Sequence, residues 1–286
     1  MRYESPKTLE QAIDIFSGFA GKKRVLAGGT DVLVQLRTEQ IHPELVMNIK
    51  EISDLQKIEL VDGYWKIGAA VSASSLKGNE SFASNWPGIV EGVGLIGSTQ
   101  IQNRATLVGN LSNASPAADG IPSLISSEAK VQIVSKLKTR VVDIFSLIVG
   151  PGKIDLQHSE FISHILIPIQ KSNASDCYMR FIPRSEMDIA VVGCAVNLSL
   201  NDGLIDSIKV VLGAVGPKVI ISENASKEVT GTSLDQNALN KLQMCCEEAA
   251  NPIDDKRGTS EFRRKVAGVL AKRAAQKAFD RLVGNT

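Results

Sequence analysis

Apolar residues alternate with polar ones in two different rhythms along the chain. Leu9, Ala12, Ile13 and Phe16 recur at helical spacing behind Thr8. Thr8 and Gln11 have the spacing of a capping box, and Gly18 and Gly21 end the predicted helix. Residues 24–27 read as a short strand running into Gly28-Gly29-Thr30-Asp31 and then a helix over 32–37, with a further strand at 45–49. Residues 55–61 and 64–70 flank Asp62-Gly63, a pair that tolerates positive φ at both turn positions, and so form a hairpin. An apolar helical stretch is expected over 89–101, then a short strand and second glycine turn over 106–110, a small-residue loop over 111–119, and a helix over 120–127. Strands at 130–135, 141–145 and 161–167 complete a second, larger lobe.

Around 170–175 the chain turns polar and loses periodicity, which marks a linker. Beyond it come strands at 190–200 and 205–213, a Gly216-Pro217 break, and helices near 237–250 and 260–282. Strands first and helices after predict a separate α+β domain.

Composition narrows the classes. The 286 residues are 43% hydrophobic and 22% charged, ordinary for a globular chain. A net charge of +1 gives no nucleic-acid footprint, and 5% aromatic residues argue against a base-stacking platform. The start, MRYESPKTLEQ, lacks the apolar core of a signal peptide, and no apolar run is long enough for a membrane span, so a cytoplasmic location is expected. Cys177, Cys194, Cys245 and Cys246 fit neither zinc nor cluster spacing, and His42, His158 and His164 are scattered, so no metal site is expected.

Two segments carry candidate chemistry. In Ala27-Gly28-Gly29-Thr30-Asp31, adjacent glycines after a strand let the main chain approach a ligand, and the amides opening the next helix suit a pyrophosphate. A tight turn without a ligand has the same pattern. Thr106-Leu107-Val108-Gly109-Asn110 repeats the logic, and Asn110, Ser115 and Asp119 then supply hydrogen-bonding groups in a run of small residues. Gly92-Val93-Gly94-Leu95-Ile96-Gly97 matches a dinucleotide fingerprint. However, Trp86-Pro87-Gly88 precedes it in place of a strand, so the match does not read as a Rossmann site. No Ser/His/Asp arrangement can be argued from spacing, so a bound cofactor must carry most of any chemistry.

The segments 25–32 and 102–119 resemble the FAD-binding (medium) subunit of the molybdenum hydroxylases, the family of carbon monoxide, xanthine and nicotinate dehydrogenases. So do Gly150-Pro151-Gly152-Lys153, 187–192, 212–217, 252–258 and Glu261-Phe262-Arg263-Arg264, all in the family's order. The resemblance implies an α+β chain. Its FAD-binding region, of the vanillyl-alcohol-oxidase-like type, would fill 1–172, with subdomains at about 1–54 and 55–172. A C-terminal domain with a three-stranded sheet would fill 176–286.

It also implies roles. Val25, Leu26, Ala27, Gly28, Gly29, Thr30, Asp31 and Val32 would wrap the FAD pyrophosphate, and Thr106, Gly109 and Asn110 would form a second cradle. Asp119 would lie by the ribityl chain or flavin edge, Ile96 and Ile162 against the cofactor, and Arg180 beside the flavin. Val108 departs from the pattern by standing where the family has a glycine. Implied partners are a large subunit with the molybdenum cofactor and a small subunit with two [2Fe–2S] clusters, as a dimer of heterotrimers. Electrons would leave through FAD to NAD⁺ or another acceptor. A free-standing FAD oxidase or dehydrogenase of the same superfamily, and a flavin-free scaffold subunit, remain as alternatives.

Overall fold

The computed structural model describes residues 1–184 and 187–284. Its first layer is a small parallel sheet. Strands β1 (Arg2–Glu4), β2 (Lys23–Leu26) and β3 (Leu45–Asn48) lie in the order β1-β3-β2, with Arg2 and Lys23 both in register with Leu45. Helix α1 (Leu9–Gly18) connects β1 to β2, and α2 (Val32–Arg37) connects β2 to β3. Thr8 caps α1 by accepting from Gln11 N, but the Gln11 side chain reaches back to Lys7 N, one residue earlier than a capping box requires. Ala12 and Phe16 are the buried face of α1. The buried Lys23 ammonium donates to the carbonyls of Phe16 and Phe19, tying β2 to the helix's orphaned C-terminal end.

The second lobe opens with the expected hairpin, β4 (Ile58–Val61) and β5 (Tyr64–Gly68), turning at Asp62 and Gly63 with φ of 50° and 80°. Short helices follow: α3 (Ala73–Lys77), α4 (Glu80–Asn85), α5 (Pro87–Val93), α6 (Thr99–Gln102), α7 (Leu107–Asn113) and α8 (Gly120–Ser126). Two expectations need correction. The single helical stretch over 89–101 is two helices, broken where Gly97 takes φ of 59°. The strand and glycine turn at 106–110 are the first turn of α7, because the Thr106 hydroxyl caps it by accepting from Gly109 N. All that remains of the strand is a single bridge from Thr106 to Ser72.

Next come β6 (Lys130–Val134), β7 (Thr139–Asp143), α9 (Ile144–Leu147), the small hairpin of β8 (Ile148–Gly150) with β9 (Lys153–Ile154), and β10 (Phe161–Pro168). An antiparallel sheet in the order β4-β5-β10-β6-β7 forms this lobe's floor.

The remainder is a third sheet, β11 (Ala174–Phe181), β12 (Val192–Asn201), β13 (Leu204–Gly213) and the two-residue β14 (Ile220–Ile221). It is covered by α10 (Glu223–Val229), α11 (Gln236–Ala249) and α12 (Ser260–Val283). Three strands are long, as expected, and β14 extends them. The sheet is buried on both faces, which explains its nearly continuous apolar strands. Cys177, Cys194, Val196, Val210 and Leu212 point into a core with the three helices, while Tyr178, Ala195 and Val211 join the core of the second lobe. Strand parity therefore divides β11 in two. Cys177 and Met179 face their own helices, and Asp176, Tyr178 and Arg180 reach toward α5 and the start of α8.

Candidate functional site

A groove of about 1310 Å³ runs between the first two sheets. It exceeds the roughly 300–1,000 Å³ of pockets for drug-sized ligands, and so suits a ligand of dinucleotide size. Both glycine-containing segments lie on its wall.

Strand β2 delivers the first of them. Val25 and Ala27 line the groove, whereas the intervening Leu26 is buried in the core, as alternation along a strand demands. Gly28, Gly29, Thr30, Asp31 and Val32 continue the lining into the start of α2. Gly29 needs φ of 80°. Gly28 packs so tightly on the 104–105 backbone that the two segments form one surface. The amides from Gly28 to Val32 donate to no protein acceptor among the described residues, while Leu33 N and Gln35 N close the first helical bonds, to Gly29 O and Asp31 O. Five consecutive free N–H groups at a helix start suit an anion. Burial raises the Asp31 carboxyl above its ordinary range.

The second segment enters from α7. Thr106, Val108, Gly109 and Asn110 line the groove, joined by Ser112 and Asn113 from the same helix. Leu107 and Leu111 turn into the core, and Val108, also nearly buried, packs with them while its edge reaches the groove. The Asn110 side chain accepts from Gly120 N at 3.2 Å, fixing the start of α8 against α7. Ile96, presented by the break between α5 and α6, and Ile162, at the bulge in β10, add apolar wall.

Leu26, Ser115, Asp119 and Arg180 are not on the groove surface. The Ser115 hydroxyl accepts from Ala117 N within its own loop. Asp119 and Arg180 meet directly behind the wall. Arg180 Nη1 donates to Asp119 Oδ2 at 2.7 Å and to Leu95 O at 2.9 Å, and the Tyr178 hydroxyl donates to Asp119 Oδ1 at 2.8 Å. The side chains of Arg180 and Asp119 are 5% and 10% exposed. Burial pushes the Asp119 carboxyl up to about 6 against the opposing pull of Arg180 and the Tyr178 hydroxyl.

Some groove residues carried no assignment from sequence. The far end is lined by Lys22, Arg24, His42, Lys153 and His158, and Gly152 N donates to Ala114 O, bringing the β8–β9 hairpin against the end of α7. The Gly150-Pro151-Gly152-Lys153 run was the available signal, without a role attached. Among the described residues no cluster of His, Cys, Asp and Glu could hold a metal ion. Burial pushes the Cys177 and Cys246 thiols up to about 12, which leaves them inert.

Comparison with known proteins places this geometry. The family model described as the FAD binding domain in molybdopterin dehydrogenase matches residues 1–170, and that of the CO dehydrogenase flavoprotein C-terminal domain matches residues 178–278. The xanthine dehydrogenase FAD-binding subunit of Escherichia coli O157:H7 is 28% identical over 278 residues, covering 96% of this chain and 95% of the relative. The carbon monoxide dehydrogenase medium chain of Afipia carboxidovorans is 28% identical over 277 residues, covering 96% of each. A solved structure of reconstituted CO dehydrogenase from Oligotropha carboxidovorans superposes with a TM-score of 0.93 at 28% identity, over 98% of both chains.

Proposed function

The chain belongs to the family of FAD-binding domains of molybdopterin dehydrogenases, and from that premise we propose that it is the FAD-carrying medium subunit of a molybdenum-containing hydroxylase or dehydrogenase. Bound FAD supplies one- and two-electron redox chemistry, linking [2Fe–2S] clusters of a small subunit, fed by the molybdenum cofactor of a large one, to NAD⁺ or another acceptor. The complex is a dimer of heterotrimers in the cytoplasm. The FAD-binding region spans 1–172, in subdomains at about 1–54 and 55–172, and the C-terminal domain spans 176–286.

The observation that carries this reading is the row of unpartnered amides from Gly28 to Val32, set in a dinucleotide-sized groove beside the Thr106 cap. These residues would hold the diphosphate through backbone N–H groups, which fix an anion without placing a cation beside it. Thr106, Gly109 and Asn110 would close over it from α7. Ile96 and Ile162 would exclude water from the apolar part of the ligand, and Asp119 with Arg180 would act on it from behind the wall. The contribution of these residues is to bind, orient and shield.

The test is purification of the affinity-tagged chain from its host, an absorption spectrum, and acid release of the flavin. Releasable FAD with iron–sulfur absorbance and two copurifying subunits is expected. FAD on a solitary chain would favour a free-standing flavoenzyme, and a colourless chain would overturn the assignment.

A further inference from the structure

We propose that Asp119 and Tyr178 are positioning residues that hold Arg180 as a charge-compensated pair behind the groove, and that this pair sets the reduction potential of the bound flavin. The inference rests on the FAD reading above.

Three elements meet at the pair. Arg180 reaches from β11 to the carbonyl of Leu95, whose neighbour Ile96 is groove wall. Asp119 stands one residue before Gly120, whose amide is held by the groove residue Asn110. The guanidinium thus lies behind the groove, with Leu95 between it and Ile96 and with Asp119 and Gly120 between it and Asn110. Tyr178 and Arg180 share one face of β11, so the strand that positions the cation also positions the hydroxyl that orients its counterion. The carbonyl of Asp188 lies 3.5 Å from Nη1, and the Asp188 carboxylate is 3.8 Å from Arg184 Nε.

A buried ion pair contributes little net stability over apolar residues of the same volume, so packing alone gives weak reason for this one. Its field is another matter. Two-electron, one-proton reduction of FAD leaves one added negative charge on the ring. An uncompensated guanidinium behind the wall would stabilise that charge strongly in a poorly polarisable interior. A carboxylate at 2.7 Å cancels most of the attraction and holds the potential down. Among the described residues Arg180 Nε is buried with no hydrogen-bond partner, so the guanidinium is only partly satisfied, held by Asp119 and by the carbonyls of Leu95 and Asp188.

The test is equilibrium titration of the FAD-loaded full chain with dithionite, the electron donor, against a reference dye. Asp119→Asn is expected to shift the flavin–dye equilibrium at least tenfold toward reduced flavin, about 30 mV for a two-electron couple. Arg180→Gln also removes the pull that keeps the buried Asp119 carboxyl ionised, so Asp119 takes up a proton and the equilibrium should stay within threefold of wild type. The double variant, with neither charge left unpaired, should return to within threefold of wild type, and Arg180→Lys should keep the wild-type value. An Asp119→Asn potential that stays at the wild-type value while the melting temperature falls would mean a purely structural pair and overturn the inference. A wild-type chain without releasable FAD would overturn the parent reading instead.

Discussion

A β-carbon on Gly28 would lie 2.1 Å from the carbonyl oxygen of Arg104. The residue that opens the first groove segment is thus in backbone contact with the residues leading to the second. Gly28 is required by the other loop as much as by any ligand, and the two segments keep their spacing only while they touch.

Gly28→Ala must therefore push residues 104–106 away, and backbone cannot yield as a side-chain tip would. The expected result is loss of bound FAD and a melting temperature several degrees lower, overpacking of this kind costing about 1–3 kcal/mol. Gly29→Ala differs. Its β-carbon would meet the side-chain ends of Leu26 and Leu33 at 3.0 and 3.1 Å, and its chief cost is φ of 80°, about 1 kcal/mol. Flavin content per chain, measured beside the melting curve, should fall further for Gly28→Ala than for Gly29→Ala. The reverse order would refute the loop-contact account.

The contrast between α1 and α7 shows how far sequence reached. Helix α1 announces itself by period and cap, and the hairpin at Asp62-Gly63 by turn chemistry, because both signals are local. Thr106-Leu107-Val108-Gly109 reads as strand and turn, since one helical turn is too short to display a period of 3.6 residues. Only the threonine three residues before Gly109 betrays the cap. The part of the groove lining that the two glycine segments supply was legible, because each segment is contiguous in sequence. The retreat of Asp119 and Arg180 behind the wall was not, as it depends on a pairing across 61 residues that no spacing encodes.

Thr106→Ala removes the acceptor for Gly109 N and should cost about 1 kcal/mol, with weaker FAD retention. Thr106→Ser should restore both. Val108→Gly introduces the glycine that the resemblance implies at this position, yet the valine is 5% exposed and packs with Leu107 and Leu111. Lost burial and a glycine in a helix together cost about 2–4 kcal/mol. Denaturant melts should show that loss without tighter flavin binding. A Val108→Gly chain that binds FAD tenfold more tightly would show instead that the side chain obstructs the groove.

His164 is buried in β10, its Nδ1 3.0 Å from the Ser163 hydroxyl, and burial, with Lys66 second, holds its pKa down from 6.5 to about 4. The unfolded chain therefore takes up this proton first as pH falls. The stability contribution is complete above 6.5 and is lost between 6.5 and about 4, up to about 3 kcal/mol. His164→Gln cannot titrate. Urea midpoints measured from pH 7 to 4 should fall more steeply for wild type than for the variant, the other groups being common to both. Parallel curves would remove His164 as a source of acid sensitivity.

Asp176 joins the third sheet to the second lobe through two buried contacts, Oδ1 accepting from Gly88 N at 2.9 Å and Oδ2 from Ile89 N at 3.1 Å. These are first-turn amides of α5, which no helical carbonyl can satisfy, and a carboxylate there also meets the positive end of the helix. Nearby, Glu91 accepts from Lys277 at 2.7 Å, from Arg281, and from Tyr178 N at 2.9 Å, so α12 is fastened to the same helix. Asp176→Ala strands two buried donors at about 1–3 kcal/mol each, whereas Asp176→Asn keeps one acceptor oxygen and should lose about half as much. Because α5 ends at Val93, two residues before Leu95 and Ile96, loosening its start should also loosen the groove wall. Faster FAD release from Asp176→Ala than from Asp176→Asn, in step with their melting temperatures, is the expected result. Equal release rates despite unequal stabilities would show that the wall is held from the Arg180 end alone.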